Sequence, residues 1–232
     1  MIDVKIRAIA FDAVGTLIEP WPGVARAYAM AAAEQGVELP EELIRGRFAK
    51  AFAWDASASG HRTGEASERV RWRRIVAECL PELAADEAER AFANLWDHFA
   101  DAGNWRLFPD AVDVLKALAG DGLKLCVASN FDSRLRQVWA GLTGAEMLVT
   151  NLVISSEVGV RKPGKEFYQA VTLALDCQPE EILFVGDDLE NDFRVPREVG
   201  FDALLVDRRG RYSEGRSVSK LSDLLGPLEI RH

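Results

Sequence analysis

The sequence predicts an α/β protein with a three-layer, Rossmann-like parallel sheet core and an α-helical domain inserted into it. Three observations carry that prediction. Short apolar runs at residues 6–11, 123–130 and 181–188 each end on polar or acidic residues, as strands buried on both faces of a parallel sheet do. The stretches between the later runs have helical periodicity, so strands and helices alternate. Between the first and second runs, residues 21–104 carry four helical patterns and no strand pattern, which assigns 1–20 and 105–232 to the core and 21–104 to the insertion. A chain of 232 residues with 48% hydrophobic and 28% charged residues is long enough for that division.

Each element has its own signal. In "AIAFDAVGTL" at 8–17 an apolar run stops at Asp12 and a Gly-Thr turn follows. Residues 24–36 are alanine-rich and close on Gly36, and 41–54 repeat apolar residues at Leu43, Ile44, Phe48, Ala51 and Phe52, giving two helices. The polar stretch "DASASGHRTGE" at 55–65 reads as a loop. Trp72, Ile75, Val76, Cys79 and Leu80 mark a third helix. Ala88, Phe92, Leu95, Trp96 and Phe99 mark a fourth, opened by Asp86 with Glu89 in capping-box spacing. Beyond Pro109 come a helix at 111–119, the turn "GDG", a strand ending at Ser129-Asn130, and a helix at 133–140. An apolar stretch at 152–154 follows, then a helix at 163–175 with Pro163 in its first turn and a strand ending at Asp187 and Asp188. Pro196 delays or bends the helix expected after Asp192, 203–206 is a last strand, and "KLSDLL" is a terminal helix.

Bulk properties narrow the function classes. A net charge of −9 argues against the broad basic footprint that nucleic-acid binding needs. Cys79, Cys126 and Cys177 are far apart and show no paired ligand spacing, so they are expected to be reduced core thiols. No secretory leader and no membrane-spanning stretch is evident, from which a cytoplasmic location is expected by default.

In open parallel sheets, ligands bind beyond the carboxyl ends of the strands. The groups expected there are Asp12 and Thr16, Ser129 and Asn130, Lys162 in "RKPGKEFY", and Asp187, Asp188 and Asp192 in "GDDLEND". They supply a carboxylate nucleophile, small donors for phosphate oxygens, a cation and a carboxylate cluster for a hard metal, the parts of metal-assisted phosphoryl transfer.

The order and context of Asp12, Ser129, Lys162 and Asp187 resemble motifs I to IV of the haloacid dehalogenase-like (HAD) superfamily, and the helical insertion resembles that superfamily's cap domain. The resemblance spans nearly the whole chain. It implies Asp12 as nucleophile through an aspartyl intermediate, Ser129 and Lys162 binding the transferring group together with Thr16 and Asn130, and Mg²⁺ held by Asp12, Asp187 and the Val14 carbonyl. Asp188 and Asp192 are implied as supporting residues. The substrate implied is a small phosphorylated metabolite.

One position departs from the pattern. Most family phosphatases carry a second aspartate two residues after the nucleophile, where it protonates the leaving group. Here that residue is Val14, which can neither give nor take a proton. Three readings follow. A metal-dependent phosphatase would use an acidic leaving group or another proton source, Asp188 and the cap loop being nearest. A 2-haloacid dehalogenase also resembles "FDAxGTL" and needs no second aspartate, but that group works without metal and replaces the motif IV carboxylates retained here. The third is a binding or regulatory protein without turnover. Lys50 is the only lysine in the insertion and reads as a solvated surface group. His61 and Arg62 lie in the polar loop, and Trp72, Trp96 and Phe99 read as packing for the insertion's own core.

Overall fold

The structure, a computed structural model, describes residues 6–58, 60–213 and 216–226. Residues 1–5, 214–215 and 227–232 of the expected core, and residue 59 of the expected loop, lie outside the described residues. The chain begins with β1 (Ala8–Phe11) and a short β2 (Ile18–Pro20), then passes through α1 (Val24–Ala33), α2 (Glu41–Ala58), α3 (Glu65–Cys79) and α4 (Ala85–His98). It returns by β3 (Trp105–Leu107) to α5 (Ala111–Gly120), β4 (Lys124–Ser129), α6 (Arg134–Gly141), β5 (Asn151–Ile154), α7 (Ser155–Val158) and α8 (Lys165–Leu175). β6 (Ile182–Gly186), α9 (Val195–Glu198), β7 (Asp202–Val206) and β8 (Ser217–Val218) follow.

Six strands form one parallel sheet in the order β5-β4-β1-β6-β7-β8. Alternation along each strand feeds two separate cores. Ile9, Phe11, Leu125, Val127, Leu183 and Val185 pack with Leu115 and Leu118 of α5 and Leu135 and Val138 of α6. Ala8, Ala10, Cys126, Ala128, Ile182 and Phe184 pack with Phe167, Tyr168 and Val171 of α8. Burial on both faces explains why the strands read as continuous apolar runs. The three cysteines are free and buried. Among the described residues no helix is long and apolar enough to cross a membrane.

The insertion is a bundle in which α1 packs on α2 and α4, and α3 on α2 and α4. Its core joins Ala27, Tyr28 and Ala31 to Ile44, Ile75, Val76, Phe92 and Leu95. Both crossings between sheet and bundle run through an antiparallel β2–β3 ribbon that periodicity does not predict, closed by an Arg106–Glu19 ion pair at 2.7 Å.

Several boundaries differ from expectation. α2 continues to Ala58, so the polar loop is shorter than 55–65. α4 starts two residues earlier than the Asp86–Glu89 pair implies: Glu87 reaches back to the Ala84 amide, while Asp86 pairs with Arg90 and Glu89 with Arg73. Pro163 lies outside α8, whose flanking residue is Gly164. The stretch after Asp192 forms a wide π turn at Leu189–Arg194, and Pro196 sits in the first turn of α9, where a missing N–H costs nothing. "KLSDLL" is a 3₁₀ turn at Leu221–Leu225.

On the α8 face, Phe184 is fully buried and meets Tyr168 and Phe201 edge to face at 5.7 and 6.1 Å. Phe184→Ala is therefore expected to cost about 3–5 kcal/mol. Urea unfolding would register this as a lower midpoint at unchanged slope; a loss under about 1 kcal/mol would mean that this face is loosely packed.

Candidate active site

β1 lies between β4 and β6; the chain passes from β1 to β4 and β5 on one side and then crosses from β5 to β6 on the other. Such a switch point opens a crevice at the carboxyl strand ends. Asp12 follows β1, Ser129 ends β4 and Asp187 follows β6, so three of the predicted residues meet on adjacent strands.

Lys162 enters from the segment between α7 and α8, and its ammonium is buried. Nζ donates to Asp12 Oδ1 at 2.8 Å, Asp192 Oδ1 at 2.7 Å and the Ala128 carbonyl at 3.0 Å. The Asn130 amide clamps the lysine's main chain from both sides: its Oδ1 accepts from Lys162 N at 2.7 Å and its Nδ2 donates to Lys162 O at 3.0 Å. Asn130 thus positions Lys162, and it also lines the cavity above the crevice. Asp192 Oδ2 accepts from the Asp188 amide at 3.0 Å. A side chain at Gly186 would occupy the space of the Asp192 carboxylate, so glycine is required where β6 ends.

Burial pushes Asp12 up from the usual carboxylate range, Lys162 pulls it back and Asp187 raises it again. Asp192 is raised by burial and by Asp12 against the pull of Lys162. Burial lowers Lys162, but Asp12 and Asp192 outweigh that and hold it protonated. Asp187 is raised by burial and Asp192, and is opposed by Arg211.

Asp12, Asp187 and Asp192 each offer an oxygen within 4.8 Å of the others. Hard carboxylate donors at that spacing fit a cation such as Mg²⁺. Asp187 also accepts from Arg211, through Oδ2 at 2.9 Å and its carbonyl at 2.7 Å. Gly15, at φ +93°, leaves room for that carboxylate; a Cβ there would approach Asp187 Oδ2 to 2.7 Å. Asp188 accepts from the Glu190 and Asn191 amides at 3.1 and 2.8 Å, so its carboxylate caps the π turn. Thr16 is a correction to the expected set. Its hydroxyl is buried in the Gly15–Ile18 turn with no hydrogen-bond partner and does not line the cavity.

Above the crevice lies a cavity of about 730 Å³, lined on the core side by Asp12, Val14, Ser129, Lys162 and Asp187. Its cap side includes Phe48, Trp72, Trp96 and Phe99, so these rings, half-buried in the structure, border open space as well as the bundle's core. The polar loop is a seam between cap and core: Arg161 N donates to His61 O at 2.7 Å, Thr63 N donates to Gly159 O at 3.0 Å, and Arg62 bridges Val160. Glu65 adds bonds from the Ser133 amide and hydroxyl and from the Ser156 hydroxyl. His61 also lines the cavity, whereas Lys50 is exposed on α2 and does not.

A buried carboxylate paired with a buried ammonium and a carboxylate cluster beneath a helical cap define a capped α/β fold with a charged crevice at its switch point. The chain belongs to the haloacid dehalogenase-like hydrolase family, whose family model matches residues 6–200. It is 27% identical over 249 residues to a phosphoglycolate phosphatase of Salmonella choleraesuis, covering 98% of this chain and 94% of that one. Its fold matches the magnesium-bound HAD hydrolase YfnB of Bacillus subtilis at a TM-score of 0.81, with 19% identity and coverage of 97% and 100%. It also matches an L-2-haloacid dehalogenase of Xanthobacter autotrophicus at 0.68, with 21% identity and coverage of 94% and 96%.

Replacing Lys162 by methionine leaves Asp12 and Asp192 buried without their shared cation, at an expected cost of about 3–5 kcal/mol near neutral pH. Both carboxylates already titrate above their unfolded values, so their contribution to stability is fullest at low pH and is lost as pH rises through the folded values. Removing the lysine raises both further. The stability gap between Lys162→Met and the parent should therefore shrink as pH falls from about 8 to about 5, followed by urea unfolding. A gap that stays constant or widens on acidification would contradict this electrostatic account.

Proposed function

We propose that the chain is a phosphate-monoester hydrolase that uses Asp12 as nucleophile and Mg²⁺ as cofactor. The observation that carries this reading is the Lys162 ammonium 2.8 Å from Asp12 on the floor of a capped cavity, with Asp187 beside it. Asp12 and Asp187, with the Val14 carbonyl, would hold the ion; Asp192 is committed to Lys162 and the Asp188 amide. When bound, Mg²⁺ supplies positive charge against the anionic group being transferred.

The protein's own groups do the rest. Asp12 attacks phosphorus and becomes an aspartyl phosphate, while Lys162 offsets charge on the transferring oxygens and keeps Asp12 ionised. Ser129, 2% exposed at the cavity floor, is placed to donate to a phosphate oxygen. The cap excludes water while the bond breaks. No proton donor stands at position 14, and one Asp188 oxygen is engaged in capping; unless the cavity-lining His61 or the other Asp188 oxygen supplies a proton, departure rests on the leaving group's own acidity.

A second reading, 2-haloacid dehalogenation, is favoured by Arg211 on Asp187, which places a protein cation against an expected metal ligand, and by Val14. A binding protein without turnover is the third. Phosphate release from 4-nitrophenyl phosphate with Mg²⁺, lost in EDTA and reduced at least about 1,000-fold in Asp12→Asn at unchanged circular dichroism, is the expected result. Halide release from 2-chloropropionate without metal would support the second reading instead, and inactivity in both assays the third.

A further inference from the structure

The cavity above Asp12 is larger and more apolar than a small charged substrate requires. Its floor is Asp12, Ser129 and Lys162; Phe48, Phe52, Trp72, Trp96, Phe99 and Phe131 contribute aromatic surface to its walls, interleaved with charged groups such as Glu68, Arg71 and Arg134. None of these six rings is fully buried, and Phe52 is 41% exposed. Phe48 stacks on Phe52 at 5.7 Å and 20°, and lies 21° from the plane of Trp72 at 6.5 Å. Arg134 lies 3.4 Å over Trp96 and Arg71 5.1 Å over Trp72, so guanidinium groups brace this wall. Phe52 and Trp72 are tilted by 41°, so Phe48, Phe52 and Trp72 form one contiguous aromatic patch on the cap wall, which suits a flat apolar ring through area removed from water and aromatic contact.

A separate observation points the same way. Val14, 36% exposed, lines the same cavity where a general acid would otherwise stand. Without that acid, the departing oxygen leaves unprotonated unless His61, which also lines the cavity, supplies the proton. A phenol holds its proton with a pKa of roughly 10, as in tyrosine. An aliphatic alcohol, like water, holds its proton far more tightly. Only the former leaves readily as an anion.

We propose that the site takes phosphate monoesters of aromatic hydroxyl compounds, with the ring against the cap aromatics and the phosphate on the floor; the proposal rests on the phosphatase reading and adds its substrate class. In the step, a bond forms between an Asp12 oxygen and phosphorus as the bond from phosphorus to the aryl oxygen breaks. The phenolate carries away the electron pair and takes its proton from water after departure. Water then hydrolyses the aspartyl phosphate, restoring Asp12 and releasing inorganic phosphate.

Non-hydrolysable phosphonates separate recognition from turnover. Calorimetric titration of the full chain with Mg²⁺ should show 1-naphthylmethylphosphonate binding on the order of 100-fold more tightly than methylphosphonate. Phe52→Ala, at an exposed position where loss of fold is not expected, should cut the ratio of the two affinities about tenfold, and Trp72→Leu should do the same. A ratio near one in the parent protein, or a ratio that neither variant moves, overturns the proposal. The companion assay measures phosphate release from 1-naphthyl phosphate and from glycerol phosphate. Naphthyl preference in binding with no release from either ester overturns the phosphatase reading and the substrate assignment together. Release from both esters with equal phosphonate affinities overturns the substrate class alone.

Discussion

A primary ammonium with 2% of its side chain exposed sits between two carboxylates, and the other parts of the crevice are arranged around it. Burying one cation with two anions is costly unless geometry and hydrogen bonding are nearly complete. Here Lys162 has three acceptors, Asp12, Asp192 and the Ala128 carbonyl. Asp192 is fixed in turn by the Asp188 amide, and the lysine's main chain by Asn130. Segments 150 and 30 residues away from Lys162 in sequence are thereby tied to one another. The excess negative charge left on the cluster favours further positive charge, which Arg211 supplies from the loop after β7 and a divalent ion can supply beside it.

The sheet makes that convergence possible. With β4 and β6 flanking β1, the residues following three strands face one crevice, and the β2–β3 ribbon places the cap bundle over it. The seam from Glu65 to Ser133 and Ser156, with its main-chain bonds between 61–63 and 159–161, closes the side of the cavity against the core. A charged floor under an apolar roof follows. The floor handles an anionic group at low local dielectric, and the roof selects what that group is attached to.

The residues at strand ends were legible because two constraints coincide there: an apolar run fixes the strand, and a charged residue that ends it has no packing reason to be there. Asp12 and Asp187 carry that signal, whereas Lys162, between α7 and α8, is legible only from its place in the series of motifs. Thr16 shares the neighbourhood in sequence but not in space, because the left-handed Gly15 turns the chain so that its hydroxyl is buried away from the cavity. Arg211 lies 24 residues beyond Asp187 in a short Arg-rich turn, and nothing in its spacing says which acid it meets. The β2 and β3 strands are three residues each, too short for alternation to show, and β2 ends on a proline. Helical spacing identifies the common face of Trp72 and of Trp96, but not whether that face meets another helix or a cavity; the structure shows both.

The central claim is that Lys162 and Asp192 form one electrostatic unit. A double-mutant cycle on unfolding free energy, with Lys162→Met, Asp192→Asn and the pair, tests it most directly. The account predicts that the double variant is more stable than the sum of the single losses implies, by at least about 2 kcal/mol, since Lys162→Met strands two buried carboxylates and Asp192→Asn removes one of them. Losses that add to within about 0.5 kcal/mol would contradict it.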